Sequence, residues 1–347
     1  MRLACWRWRP AIANFLRNCI KDCFGDGAET RTRGACAPQM KEIHDILCLY
    51  ELHRGESLVL ATLVATRGSS YRRPGARMLI CGDGATAGSL SGGCLEEEVA
   101  RRAHDVIRDG APALMSFDTR LRFGCNGSID IFVERMNEDF LSELAANFSE
   151  RRSSRAVTVF ADENQGTRLV RSDAIIPAGA FVQEIEPAIR LLIFGEGPDS
   201  LPIRAFAEIL GWEVFEIDEV AELASQVDSR TAAIVKSHNY GRDFAALCTL
   251  LKLDLAYVGL LGPRKRRDQL LNAVLDEGIA IDAEVFAPAG LDLGAETPEE
   301  LALALVSEIQ AIFAGASAES LRDRKAPIHG WNVARRPATT GCATSAQ

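Results

Sequence analysis

The chain has no apolar run approaching the ~20 residues that a membrane helix needs, and it has no excess of positive charge. It holds 39 Lys and Arg against 48 Asp and Glu over 347 residues, a formal net charge of −9. A general nucleic-acid binder needs a basic face to neutralise phosphates, so that class is set aside together with membrane spanning. Neither C-x-x-C nor H-E-x-x-H spacing occurs, and the sequence reading therefore expects no metal site. Tight cysteine spacing is missing too: ten cysteines are scattered from Cys5 to Cys342. A chain of this length, 47% hydrophobic, buries its core without staples. The cysteines therefore read as reduced thiols of a cytoplasmic protein.

The first 39 residues differ from the rest. They hold two of the four tryptophans, four of the ten cysteines and seven Arg/Lys against three Asp/Glu. They lack the continuous apolar stretch and cleavage site of a secretory signal. They are read as a non-native or unstructured extension before a start at Met40, with an Arg-rich targeting segment as the rival reading.

From Met40 the pattern becomes regular. Residues 40–54 have helical spacing, SLVLATLVAT at 57–66 is a strand, and ARMLIC (76–81) and TAGSL (86–90) form a hairpin around GDG. A helix follows over about 95–108, then strands at 113–117 and 128–135, giving an α/β domain over 40–150. Residues 151–187 carry weak strand signals and read as a connecting segment. From 188 to 330 strands at 189–194, 212–218, 232–237 and 255–262 alternate with helices at 200–210, 242–252, 264–277 and 298–313. That alternation predicts a parallel sheet wound on both faces, with any ligand at the carboxyl ends of its strands. Residues 331–347 read as a disordered tail.

Three glycine-rich pieces of the first domain carry chemistry. TRGSSYRRPGAR places Arg67, Ser69, Ser70, Arg72 and Arg73 in one loop, a set suited to an oxyanion, although a solvated basic turn is the commoner outcome. SGGC supplies Gly92, Gly93 and Cys94 at a helix entrance, with Ser91 as the expected cap and three glutamates in the first turn. FGCNGS supplies Cys125 in a turn before a strand. A lone cysteine in a turn is more often a small buried residue than a reactive one. In the second half, Gly195, Gly197 and Asp218 occupy dinucleotide-fingerprint places in IFGEGPDS and the strand that follows. Pro198 offers no N–H there, and Glu196 and Asp199 add negative charge, so a turn kept for packing weighs at least equally with NAD(P) binding.

Taken together, ATLVATRGSSYRRPGARMLI, GSLSGGCLEEEV, FGCNGSIDIFVE, YVGLLGPRKRR, GLDLGAETPEELALALVSEI and APIHG resemble the XdhC/CoxI family, accessory factors of xanthine dehydrogenase and related molybdenum hydroxylases. The resemblance runs from about Met40 to His329. It implies a small N-terminal α/β domain followed by a Rossmann-like doubly wound parallel-sheet domain. It also implies a maturation role rather than metabolic catalysis: transient binding of molybdenum cofactor (molybdopterin), sulfuration with a cysteine desulfurase, delivery to the hydroxylase apoenzyme, and a homodimer. On that view Cys94 and Cys125 contact the cofactor or relay sulfur, and the Arg/Ser/Gly loop holds its phosphate. The second half departs from the family pattern, with Pro198, Tyr240 and Phe286 where histidines are usual and Asn239 where an aspartate is. His238 is kept. These departures move the functional expectation to the first domain and leave an NAD(P)-dependent oxidoreductase as the alternative.

Overall fold

Helix α1 (Met40–Leu52) begins where the composition changes, and helical spacing turns Ile43, Ile46, Leu47 and Tyr50 into one core. The computed structural model describes residues 40–323 apart from 69, 94, 121–126, 162–163, 219–226, 254 and 282–283. After α1 come β1 (Leu58–Gly68), β2 (Arg77–Cys81), β3 (Thr86–Gly88), α2 (Glu96–Asp109), β4 (Ala113–Asp118), β5 (Gly127–Arg135) and α3 (Glu138–Ser149). The five strands form one antiparallel sheet in the order β3-β2-β1-β5-β4.

β1 is buried from Leu58 through Val64 because both its faces are covered. Leu58 and Leu60 meet α1 and α3, while Val59, Ala61 and Leu63 meet Val99, Ala103 and Val106 of α2. A register shift between Leu63 and Ala65 then bends the strand, and it ends with Arg67 and Gly68 exposed. Helix α3 has no counterpart in the sequence reading. Asn137 caps it by accepting from the Asp139 N–H at 3.1 Å, and Phe140, Leu141, Leu144 and Phe148 bury its inner side.

Residues 151–187, read from sequence as a join, build a sheet of their own. β6 (Ser154–Val159) lies between β7 (Gly166–Val170) and β8 (Phe181–Ile185), all antiparallel. Arg151 fastens the start of this segment to two carboxylates far along the chain. Its Nε and Nη2 donate to the Asp228 carboxylate at 2.7 and 3.0 Å, and Nη1 donates to Glu213 at 3.0 Å.

The last sheet is parallel, in the order β10-β9-β11-β12-β13, from β9 (Arg190–Phe194), β10 (Glu213–Ile217), β11 (Thr231–Val235), β12 (Tyr257–Leu260) and β13 (Val285–Phe286). α4 (Ser200–Ile209) and α7 (Pro298–Ala314) pack on one face, while α5 (Tyr240–Leu250) and α6 (Arg264–Asp276) pack on the other. Helices on both faces make the expected doubly wound layer structure. Residues 317–323 form a separate unit in which the described structure is a 3-10 turn at Leu321–Asp323. Among the described residues no helix is long and apolar enough to cross a membrane. Among the described residues Cys81 and Cys248 are free thiols.

Candidate functional site

Antiparallel pairing brings three loops to one end of the first sheet. Gly68 at the end of β1 is paired with Gly127 at the start of β5, and Gly88 at the end of β3 is paired with Met78 of β2. The loops 69–76, 89–95 and 119–126 therefore all leave the sheet at this end. Thr119 ties the roots of the third loop together, since its N–H and hydroxyl donate to the Gly127 carbonyl at 2.9 and 2.8 Å. The first two loops touch: a Cβ on Gly92 would come within 3.0 Å of the Tyr71 ring, and the Gly92 φ of +90° favours glycine independently.

The 89–95 loop is wrapped around a carboxylate. Glu96 Oε1 accepts from the Ser89 hydroxyl at 3.0 Å and from the N–H groups of Leu90, Ser91 and Gly92 at 3.0, 2.8 and 3.2 Å. Oε2 accepts from the Ser91 hydroxyl at 2.7 Å and from the N–H groups of Gly93 and Leu95 at 3.0 Å each. Burial opposes the charge, but the Ser91 hydroxyl and the loop amides outweigh it and hold the Glu96 carboxyl at about 2. This corrects the expected cap. Leu95 stands at the N-cap with no side-chain cap bond, and Ser91 serves the loop instead, accepting from the Leu95 N–H at 3.1 Å. The amides that a glycine-rich turn offers to anions are turned on a residue of the chain itself.

The arginines divide by role. Arg67 lies on the surface, its side chain 74% exposed and 3.3 Å from Asp130. Arg73 is also exposed, and Ser70 is half-buried. Arg72 pairs with Glu42 of α1. Arg77 is buried and donates to Gln183 of β8, and its Nε and Nη2 have no hydrogen-bond partner among the described residues. Burial pulls the Arg77 guanidinium down to about 10 against the opposing field of Glu134. Ser69, Cys94 and Cys125 lie outside the described residues.

The fingerprint residues of the second half line a different place. A cavity of about 360 Å³ opens at the carboxyl ends of β9, β10 and β11, lined by Gly195, Asp218, Ser237, Arg242 and Asp243 among others. This is the switch point of the strand order, where the sequence predicts a ligand. Gly195 is required by close approach, since a Cβ there would fall 2.3 Å from the Ser237 Cα. A buried ion pair lies beneath this turn: Lys236, with no side-chain exposure, donates to Asp199 Oδ1 at 3.0 Å. A Cβ on Gly197 would meet that same oxygen at 2.6 Å. Asp199 thus places a carboxylate, paired with Lys236, at the N-terminus of α4, the end where a dinucleotide-binding turn offers a phosphate free amides. Asp218 is exposed and lies 3.5 Å from Arg242. From the basic run after β12, Arg266 is committed to Asp243 at 2.6 Å and Arg267 to the Ala287 carbonyl at 3.0 Å. Sequence reasoning found neither Glu96 as the centre of its loop nor the Lys236–Asp199 pair; the first depends on how the loop curls back, and the second joins residues 37 apart in the chain.

Residues 51–118 match the XdhC and CoxI family, and residues 191–309 match the XdhC Rossmann domain. A Bacillus subtilis (strain 168) protein, named as a probable subunit of xanthine dehydrogenase, is 30% identical over 310 residues, covering 73% of this chain and 92% of that protein. The chain belongs to the XdhC and CoxI family. It is also similar to the molybdenum cofactor insertion chaperone PaoD of Escherichia coli (strain K12), 25% identical over 280 residues that span 75% of this chain and 85% of PaoD. The crystal structure of a xanthine dehydrogenase from Bacillus halodurans superposes with a TM-score of 0.66 at 25% identity, covering 80% of this chain and 98% of that one. The first match falls on β1–β4 and α2 of the antiparallel sheet, and the second on the parallel sheet with its switch-point cavity.

Proposed function

We propose that this XdhC-family chain is an accessory factor that binds molybdenum cofactor transiently, assists its sulfuration and inserts it into a molybdenum hydroxylase of the xanthine dehydrogenase type. The carrying observation is the meeting of the 69–76 and 89–95 loops through Tyr71 and Gly92, with the exposed Arg67 and Arg73 at the same sheet end. Guanidinium groups suit the phosphate of a pterin cargo, and an exposed aromatic ring suits its flat heterocycle. In this reading Cys94 and Cys125, carried by two of the three loops, supply soft sulfur contacts to the metal or pass sulfur from a cysteine desulfurase. Because Glu96 already uses the loop amides, arginines rather than backbone N–H groups hold the phosphate. The remaining terms of the proposal are a cytoplasmic homodimer, a hydroxylase apoenzyme as recipient, and function resting on residues 40–150.

The switch-point cavity with Asp218 favours a second reading, an NAD(P)-dependent oxidoreductase; the Lys236–Asp199 pair weighs against it. The test is to titrate the full chain with molybdenum cofactor and, separately, with NAD(P)H, and to assay activation of hydroxylase apoenzyme. Cofactor binding that weakens in Arg67→Ala and Arg73→Ala, with activation lost in Cys94→Ala or Cys125→Ala, supports the first reading. A fully active double cysteine variant, or NAD(P)H binding without cofactor binding, rejects it.

A further inference from the structure

The other end of the first sheet gathers three donors that no motif announces. Leu58 of β1 pairs with Cys81 of β2 there, and β1 spans eleven residues. The strand therefore separates this end from the glycine-rich loops by roughly 30–35 Å. A ring nitrogen of His53, the Cys81 Sγ and a carboxylate oxygen of Asp83 all lie within 4.8 Å of one another.

Rigid backbone holds each of them. The His53 N–H donates to the carbonyls of Leu49 and Tyr50 at 3.2 and 3.1 Å, continuing α1 by one residue. The Cys81 N–H donates to the Ala85 carbonyl at 2.9 Å, and the Gly84 N–H donates to the Cys81 carbonyl at 3.0 Å, closing the β2–β3 turn. Asp83 Oδ1 accepts from the Ala85 N–H at 2.9 Å, which fixes its carboxylate. A further carboxylate, Glu56, lies 3.0 Å from His53 Nδ1.

Imidazole nitrogen, cysteine sulfur that gives up its proton to the ion, and carboxylate oxygen together form the donor set of a borderline-soft divalent ion; calcium and magnesium take oxygen alone. Metal–donor distances of about 2.0–2.3 Å require the three donors to close in by roughly 1 Å. A carboxylate on the remaining nitrogen of a ligating histidine is the usual outer support, fixing the tautomer and ring orientation.

We propose that His53, Cys81 and Asp83 bind a zinc-type divalent ion, with Glu56 as the positioning residue for His53 and the fourth tetrahedral place taken by water. The ion clasps the end of α1 to the β2–β3 turn. It is separate from the cargo loops and stands whether or not the chaperone reading does.

The experiment uses the full chain, stripped with a chelator, then titrated with Zn²⁺ against a chromophoric competitor and with Co²⁺ alone. One tightly held Zn²⁺ per chain is expected, together with a thiolate-to-cobalt absorption band. Asp83→Asn, on an exposed turn and with its Ala85 contact kept, is expected to weaken Zn²⁺ binding by at least about tenfold, and Glu56→Gln by about 10–100-fold. The cobalt band disappears in Cys81→Ser and persists in Cys248→Ser and in a Cys94→Ser, Cys125→Ser double variant. Unchanged affinity in Asp83→Asn, a band that survives Cys81→Ser, or an absence of tight Zn²⁺ binding in the parent chain would overturn the assignment.

Discussion

Lys236 Nζ and Asp199 Oδ1 meet at 3.0 Å beneath the turn between β9 and α4, with the lysine side chain wholly buried. Removing one partner leaves the other charge in the interior without a counter-ion. Asp199→Ala and Lys236→Ala are each expected to cost about 3–5 kcal/mol, while a joint Asp199→Leu, Lys236→Met replacement costs much less than their sum. Urea unfolding of the four proteins measures this, and single losses under about 1 kcal/mol would contradict it.

Glu96 sets an acid limit for the first domain. Its folded carboxyl titrates at about 2 against an ordinary 4.5. The folded value lies below the unfolded one, so the contribution to stability is complete above pH 4.5, falls as the pH drops toward 2, and is gone below that. Glu96→Gln is expected to flatten this part of the stability profile. At neutral pH it costs about 1–2 kcal/mol once partial exposure is discounted. Unfolding midpoints across the pH series test both statements.

Gly92 and Gly93 separate backbone strain from contact. Both have positive φ, +90° and +109°, but only Gly92 faces the Tyr71 ring. Gly93→Ala carries the backbone term alone, about 1–2 kcal/mol, and Gly92→Ala exceeds it by the cost of moving the ring. Adding Tyr71→Ala brings Gly92→Ala down to the Gly93→Ala value. Equal losses in the two single variants would show that the loops do not press on one another.

At the start of α7, Thr297 accepts from the Glu300 N–H at 3.3 Å while Glu300 accepts from the Thr297 N–H at 3.0 Å. Thr297→Ala is expected to lower stability by about 1 kcal/mol without touching cofactor binding. Calorimetry and the same titrations check the pair of outcomes.

Elements that announce their burial locally were legible in the sequence. α1, β1, α2 and the alternating second half follow from spacing. β7 and β8 were not legible, because they are short and mostly half-exposed and therefore lack a clean alternation. α3 was missed although Phe140, Leu144 and Phe148 mark its inner side; its signal lay past the last strand expected of the first domain. The first-turn glutamates were read through the helix dipole, but which of them turns back into the loop is decided by loop shape. Cys81 and Asp83 lie two residues apart in one turn, but His53 stands far ahead of them in the chain, and the packing of α1 beside the paired β1 and β2 unites the three.

The seven donors gathered on Glu96 also bear on kinetics. Under the proposed carrier role, a loop with its own counter-ion has its shape before cargo arrives, so capture would spend little free energy on ordering it. Release would then require no refolding of the loop either, and the proposed hand-over to a second protein gains from both.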